Sequence, residues 1–258
     1  MKTIIAIGGG EMGGPIFDSE HNVIGHHDIE TTGIDEIIVQ ATKKKNPKAL
    51  FIPTASWDST GYCQSFKKQY GDILGCQVSN LLLLSNPSMK DVEKLILETD
   101  IIYVGGGNTQ FMQDTWKERG VLPLLKQAYE NGTILSGLSA GANCWFEKSS
   151  TDSFMTAEDK LDFEKAKETL AIMENLGYLE GVLCPHYLKE PYRRPAFLHQ
   201  MKKIKGKAYG VDNNAALVFM DGHLTNLIRS NPEAKAFEIS SAEGIVSEKE
   251  IILPSLSF

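Results

Sequence analysis

The sequence predicts an α/β protein with a mostly parallel central sheet, helices on both faces and short antiparallel strands toward the C-terminal end. Three observations predict it. Short apolar runs ending in glycine or proline recur through the first half of the chain, with segments of helical apolar spacing between them. Strands that alternate with helices imply right-handed crossovers and therefore parallel pairing. From Lys207 onward, by contrast, the chain reads as consecutive short strands.

Lys2–Ile7 (KTIIAI) reads as a buried strand that ends at Gly8-Gly9-Gly10, and residues 34–45 carry Ile34, Ile37, Ile38 and Ala41 at helical spacing. The run Lys43-Lys44-Lys45 is read as closing that helix before Asn46-Pro47, where cations suit the negative helix end. Ala49–Pro53 is the second strand, and Tyr62, Phe66, Tyr70 and Ile73 mark the helix after it. Residues 77–84 form a third strand, 91–97 a helix, and Asp100–Val104 a fourth strand that delivers Gly105-Gly106-Gly107-Asn108-Thr109. Helices over 109–118 and 121–131 precede a fifth strand, Thr133–Ser136, which runs into Gly137-Leu138-Ser139-Ala140-Gly141. Residues 157–175 read as one charged helix, and Leu179–Cys184 as a strand ending in Pro185-His186-Tyr187. Five short strands are expected at 207–212, 215–220, 223–229, 234–239 and 244–253, with Asp221-Gly222 as a hairpin turn.

A length of 258 residues fits one α/β domain over 1–258, and 42% hydrophobic with 23% charged residues is ordinary for a soluble globular protein. The net charge of -7 disfavours a nucleic-acid partner, since few clustered cations would release the counterions of a phosphate backbone. Four cysteines without metal-like or paired spacing read as reduced thiols. Without a signal-peptide core near Met1 or a long apolar run, the expectation is a cytoplasmic protein with no membrane partner, as a monomer or homodimer.

Ligands of parallel sheets sit at the carboxyl ends of the strands, where both glycine-rich turns and the serine turn fall. Gly137-x-Ser139-x-Gly141 between a strand and a helix is the nucleophile-elbow pattern, in which the turn lifts the hydroxyl above the sheet and the Ala140 N–H faces the same space. A plain tight turn has the same spelling. A serine hydroxyl needs a base, and His186, at the end of an apolar strand, is the best placed of six histidines. The glycines after Val104 can bring a second bare amide to a developing oxyanion.

Other signals are set aside. Gly8-x-Gly10-x-x-Gly13 matches a dinucleotide motif in letters, but residues 15–19 read as a loop where that motif requires a helix, so no cofactor is expected. His21, His26, His27 and Asp28 read as a solvated loop rather than a metal site, and Cys144 as a packed thiol rather than a nucleophile.

The segments ALFIPTAS (49–56), IIYVGGGNT (101–109), GLSAGAN (137–143), CPHY (184–187) and YGVDNNAALV (209–218) together resemble the aspartyl dipeptidase (dipeptidase E) and cyanophycinase family of serine peptidases. The resemblance covers roughly residues 49–220 and implies a class I glutamine-amidotransferase-like, flavodoxin-like sheet. It implies Ser139 as nucleophile, His186 as base, Gly107 and Ala140 as oxyanion-hole amides, and Asn108 in the substrate pocket. In the dipeptidase an arginine after the histidine holds an acidic side chain; Arg193 and Arg194 occupy that stretch here, Arg194 being the closer match.

The third member departs from the family. Where relatives carry Glu, this chain reads Gly210-Val211-Asp212-Asn213, with Asn213 at the aligned position, Asp212 one residue earlier and Asp152 a further candidate. The function expected is hydrolysis of a short peptide, with an N-terminal Asp as one candidate. An esterase or amidase on the same residues, or a catalytically silent small-molecule binder, remain the alternatives.

Overall fold

The computed structural model describes residues 1–255 other than His21. The expected alternation is present, but it is distributed over two sheets rather than one, the first mostly parallel and the second mixed. After β1 (Thr3–Ile7) comes a hairpin of β2 (Pro15–Phe17) and β3 (Val23–His26), where the sequence reads as a loop. α1 (Thr32–Ala41) leads to β4 (Lys48–Ile52); α2 (Thr60–Phe66), continued by a π-helical segment over Lys67–Ile73, leads to β5 (Gln77–Asn80). α3 (Met89–Leu97) leads to β6 (Ile101–Val104), and α4 (Thr109–Glu118) with α5 (Leu122–Glu130) leads to β7 (Ile134–Leu138).

A four-residue helix, α6 (Ala140–Asn143), then carries the chain into a second sheet. Its elements are β8 (Phe146–Thr151), α7 (Ala157–Leu161), α8 (Phe163–Thr169), β9 (Ala171–Glu174), β10 (Leu179–Pro185), α9 (Arg193–Met201) and β11 (Gly206–Val211). β12 (Ala215–Met220) and β13 (His223–Arg229) return to the first sheet, and β14 (Ala236–Ala242) and β15 (Ile245–Glu250) complete the second. The orders are β13-β12-β1-β7-β6-β4-β5 and β15-β14-β11-β10-β8-β9. β1, β7, β6, β4 and β5 run parallel, with β12 and β13 antiparallel on one edge.

Strand alternation sorts the core. Ile4 and Ala6 pack with Val92, Ile96, Met112 and Trp116 from α3 and α4, while Ile5 and Ile7 pack with Ile34, Ile38, Phe66 and Tyr70 on the opposite face. Both faces are covered, which explains the uninterrupted apolar strands. Leu183, Tyr209 and Val211 of the second sheet join the first of these clusters, while Val182, Cys184 and Ala208 face Ala196, Phe197 and Met201 of α9. Phe146, Tyr209 and Phe219 link the two sheets, with ring centroids 5.9, 5.6 and 5.5 Å apart.

Three further expectations change. The helix expected over 157–175 breaks at Asp162, which is extended (φ -109, ψ 111) and turns its carboxylate back to cap α8 through the N–H groups of Glu164 and Lys165. Leu161 and Phe163 are left 86% and 50% exposed, so no continuous apolar face held one long helix together. The third strand stops at Asn80, and Leu83–Ser85 is a 3₁₀ turn. α1 ends at Ala41, and the lysine run lies beyond it, with Lys43 itself in the left-handed region (φ 56). No helix among the described residues is long and apolar enough to cross a membrane, and all four cysteines are free and buried.

Candidate active site

Ser139 stands between β7 and α6 with φ 54 and ψ -111, a conformation costing an L-residue about 1–3 kcal/mol. Its N–H bonds to Ile7 O at 3.0 Å, and its carbonyl accepts from the Ala142 and Asn143 amides, each at 2.9 Å. The flanking glycines serve close approach rather than dihedral freedom. A Cβ at Gly137 would collide with Gly141 O, and one at Gly141 with Val104 O. The serine carries the strain itself.

His186 follows β10 and also has a positive φ (141). Its Nε2 lies 2.5 Å from Ser139 Oγ, and its Nδ1 lies 2.8 Å from Asn213 Oδ1. Of the three residues considered for the position behind His186, Asn213 is the one that reaches it. Asp212 turns the other way and accepts the Leu188 and Lys189 amides at 3.2 and 2.8 Å. Successive residues leaving β11 point to opposite sides, so only one of the pair could face the imidazole. Asp152 lies in a separate cluster, 2.5 Å from Lys160 and 3.2 Å from Arg193.

The remaining expected residues are placed as follows. Gly107 is exposed with φ 139, and a Cβ there would strike Ala55 O. The adjacent Gly106 brings this turn to Ser139: its Cβ position lies 3.6 Å from Ser139 Cβ. Ala140 N–H opens α6 beside the serine, and neither it nor Gly107 N–H meets an acceptor among the described residues. Asn108 caps α4, its Oδ1 accepting the Phe111 amide at 2.9 Å, so the pocket role expected for it leaves only its amide group free for a ligand. Arg194 is half-exposed and bonded through Nε and Nη2 to Glu248 at 3.1 and 2.5 Å. Arg193 is buried and paired with Glu190 at 2.5 Å. Cys144 is buried with its thiol raised by desolvation, which suits packing. His26 and His27 border a cleft of about 490 Å³ with Gln64 and Lys68, and His21 lies outside the described residues.

Burial lowers the pKa of His186, and the Arg193 charge lowers it further, against the opposing pull of the Asn213 hydrogen bond, Glu190 and Asp152. The imidazole is therefore neutral near pH 7 and free to accept a proton. Burial would raise the carboxyl of Asp152, but Arg193 and Lys160 outweigh it and hold that group at about 2.

Two contributors escaped sequence reasoning. A Cβ at Gly9 would overlap both Asn213 Oδ1 and His186 Nδ1, and one at Gly8 would overlap the Val211 and Asp212 carbonyls. The glycine run after β1 is thus the bed for the His186–Asn213 pair, tied to it by Asn214 N–H to Gly9 O at 2.9 Å. The run was visible in the sequence, but only the antiparallel pairing of β1 with β12 reveals what it faces. Tyr62 is the second: its hydroxyl accepts the Gly106 N–H at 3.3 Å and buttresses the oxyanion-side turn.

The sequence pattern of peptidase family S51 matches residues 23–227. An uncharacterized peptidase, YgaJ, from Bacillus subtilis (strain 168) is 37% identical over 250 residues, covering 96% of each chain. Among solved structures, a peptidase from an acI-B1 actinobacterium superposes with a TM-score of 0.68 over 100% of this chain and 97% of that one, at 18% identity. A putative peptidase E protein from Listeria monocytogenes EGD-e gives 0.54 over 77% and 96%, at 23% identity. At these identities the two structures speak to the fold.

Proposed function

Because the chain belongs to peptidase family S51, a family of serine peptidases, we propose that it hydrolyses short peptides through an acyl-enzyme on Ser139. One observation carries the reading: Ser139 Oγ, on a strained strand-to-helix turn, lies 2.5 Å from the Nε2 of a neutral histidine. His186 Nε2 takes the hydroxyl proton as Oγ bonds to the scissile carbonyl carbon. The oxygen, now negative, is held by the Gly107 and Ala140 amides. When the C–N bond breaks, His186 returns the proton to the leaving amine; water repeats the sequence on the ester and frees Ser139.

Asn213 Oδ1 accepts a hydrogen bond from Nδ1–H and so fixes the tautomer that leaves Nε2 as acceptor. It supplies orientation without charge, so it stabilises the imidazolium less than a carboxylate would. That substitution is the one feature favouring a second reading, a silent binding protein. A fluorophosphonate probe separates the two. The native protein is expected to be labelled at Ser139, and Ser139→Ala to lose both labelling and hydrolysis, roughly 10⁴-fold or more, while keeping its circular dichroism. An unlabelled native protein would favour the silent reading. Labelling without peptide turnover would point to an esterase or amidase.

A further inference from the structure

The groups around Ser139 explain bond cleavage but select no side chain. The two arginines that could attract an acid are already occupied. Arg194 is bidentate to Glu248, and Arg193 is enclosed by Glu190, Asp152 and the Tyr192 hydroxyl. The surface beside the glycine turn is aromatic instead. Trp57 is 59% exposed and sits in the left-handed region (φ 54, ψ 43), unusual for a bulky residue. Strain of this kind persists only where surrounding bonds over-determine it.

Those bonds are present. Trp57 N–H donates to Thr54 O at 3.0 Å, Asp58 N–H to Pro53 O at 3.2 Å, and the Asp58 carboxylate receives the Leu84 amide at 2.8 Å. Thr54 Oγ1 is held by the buried Trp116 indole at 3.2 Å, and Ala55 O by the Asn108 amide at 2.8 Å. The ring of Trp57 then stacks on Phe111 in the first turn of α4, with centroids 5.2 Å apart and planes at 26°. Phe111 is positioned in turn by the Asn108 cap. The same loop backs the proposed oxyanion turn, since a Cβ at Gly107 would lie 3.0 Å from Ser56 N, one residue before Trp57. Two rings are therefore stacked and partly exposed on the loop and the helix that flank the proposed oxyanion turn.

We infer that Trp57 and Phe111 form an aromatic wall of the substrate site and select peptides with an aromatic or bulky apolar residue adjoining the scissile bond. The inference rests on Ser139 as the nucleophile, and it replaces the acidic preference that the resemblance implied. A third ring completing such a stack gains contact area and stacking geometry, worth roughly tenfold in affinity.

The test separates binding from turnover. Full-length Ser139→Ala protein is titrated calorimetrically with dipeptides in which Phe, Ala or Asp is placed at each of the two positions in turn. The native protein is assayed for kcat/KM on the same set. At one position Phe should exceed both Ala and Asp by about tenfold in each measurement. Trp57→Gly suits the left-handed backbone and removes the ring, so it should erase the Phe advantage, and should do so through KM. Trp57→Phe should restore part of it. A preference for Asp, equal affinities, or a Phe advantage that survives Trp57→Gly would overturn the inference. Should Ser139 not be the nucleophile, either Ser139→Ala would keep turnover or the native protein would show none, while the binding preference persisted, so the two failures differ.

Discussion

An amide, Asn213, and not a carboxylate faces Nδ1 of His186, and under the proposed mechanism the expected consequence lies in the pH dependence. In the proposed mechanism the base form of His186 is the working form, so hydrolysis is expected to fall as pH drops through its folded pKa. Burial and Arg193 set that pKa below the ordinary value of about 6.5, outweighing the upward pull of the Asn213 hydrogen bond, Glu190 and Asp152. The acid limb of kcat/KM is therefore expected below pH 6.5. Asn213→Asp should move it upward by about one unit, because a negative charge at Nδ1 favours imidazolium. Asp212→Asn, which keeps an acceptor for the Leu188 and Lys189 amides, should leave the limb in place. A pH profile of the three proteins checks this, and an unmoved limb in Asn213→Asp would separate Asn213 from the base. Ser139 and His186 were legible in the sequence because a strand-end turn and a strand-end histidine carry local signatures. The choice between Asp212 and Asn213 was not, because it depends on which side of β11 faces a loop more than two hundred residues earlier. Gly9 was hidden for the same reason.

Among the elements, α1 and the π-helical segment are joined by a buried acid. Asp35 accepts from Thr31 Oγ1 at 2.8 Å, Gln69 Nε2 at 3.1 Å and the Tyr70 hydroxyl at 2.9 Å. Desolvation outweighs these bonds and raises its carboxyl to about 7. A raised acid favours the folded state in its protonated form. Stability from this site is complete below the unfolded value near 4, declines as pH rises from about 4 to 7, and is level above. Melting temperature should accordingly fall from pH 5 to pH 8, and Asp35→Asn should flatten that slope; parallel slopes in the two proteins would exclude Asp35 as its source. Strands β1, β4, β6 and β12 of the first sheet were readable because each is dominated by a continuous apolar run, whereas the break at Asp162 and strand β8 were not. Capping by Asp162 and the polar letters of Phe146–Thr151 give no periodicity to read.

For the molecule as a whole, the division into two sheets decides where the site lies. Ser139 leaves the first sheet, His186 leaves the second, and Asn213 sits where the chain crosses from β11 back to β12. The sequence pattern announced parallel strands but not their division, because the same apolar run fills a strand of either sheet. Phe219 is 2% exposed and meets Phe146 and Tyr209 across the junction. Phe219→Ala should cost about 3–5 kcal/mol, and in urea it should lose probe labelling at Ser139 before it loses its circular dichroism. Coincident transitions would show that the sheets come apart only on global unfolding. The 2.5 Å Ser139–His186 bond thus doubles as a built-in gauge of the gap between two slabs of structure. With each half of the proposed reacting pair mounted on a different slab, a small parting of the two would separate Oγ from Nε2 while every strand stayed paired within its own sheet.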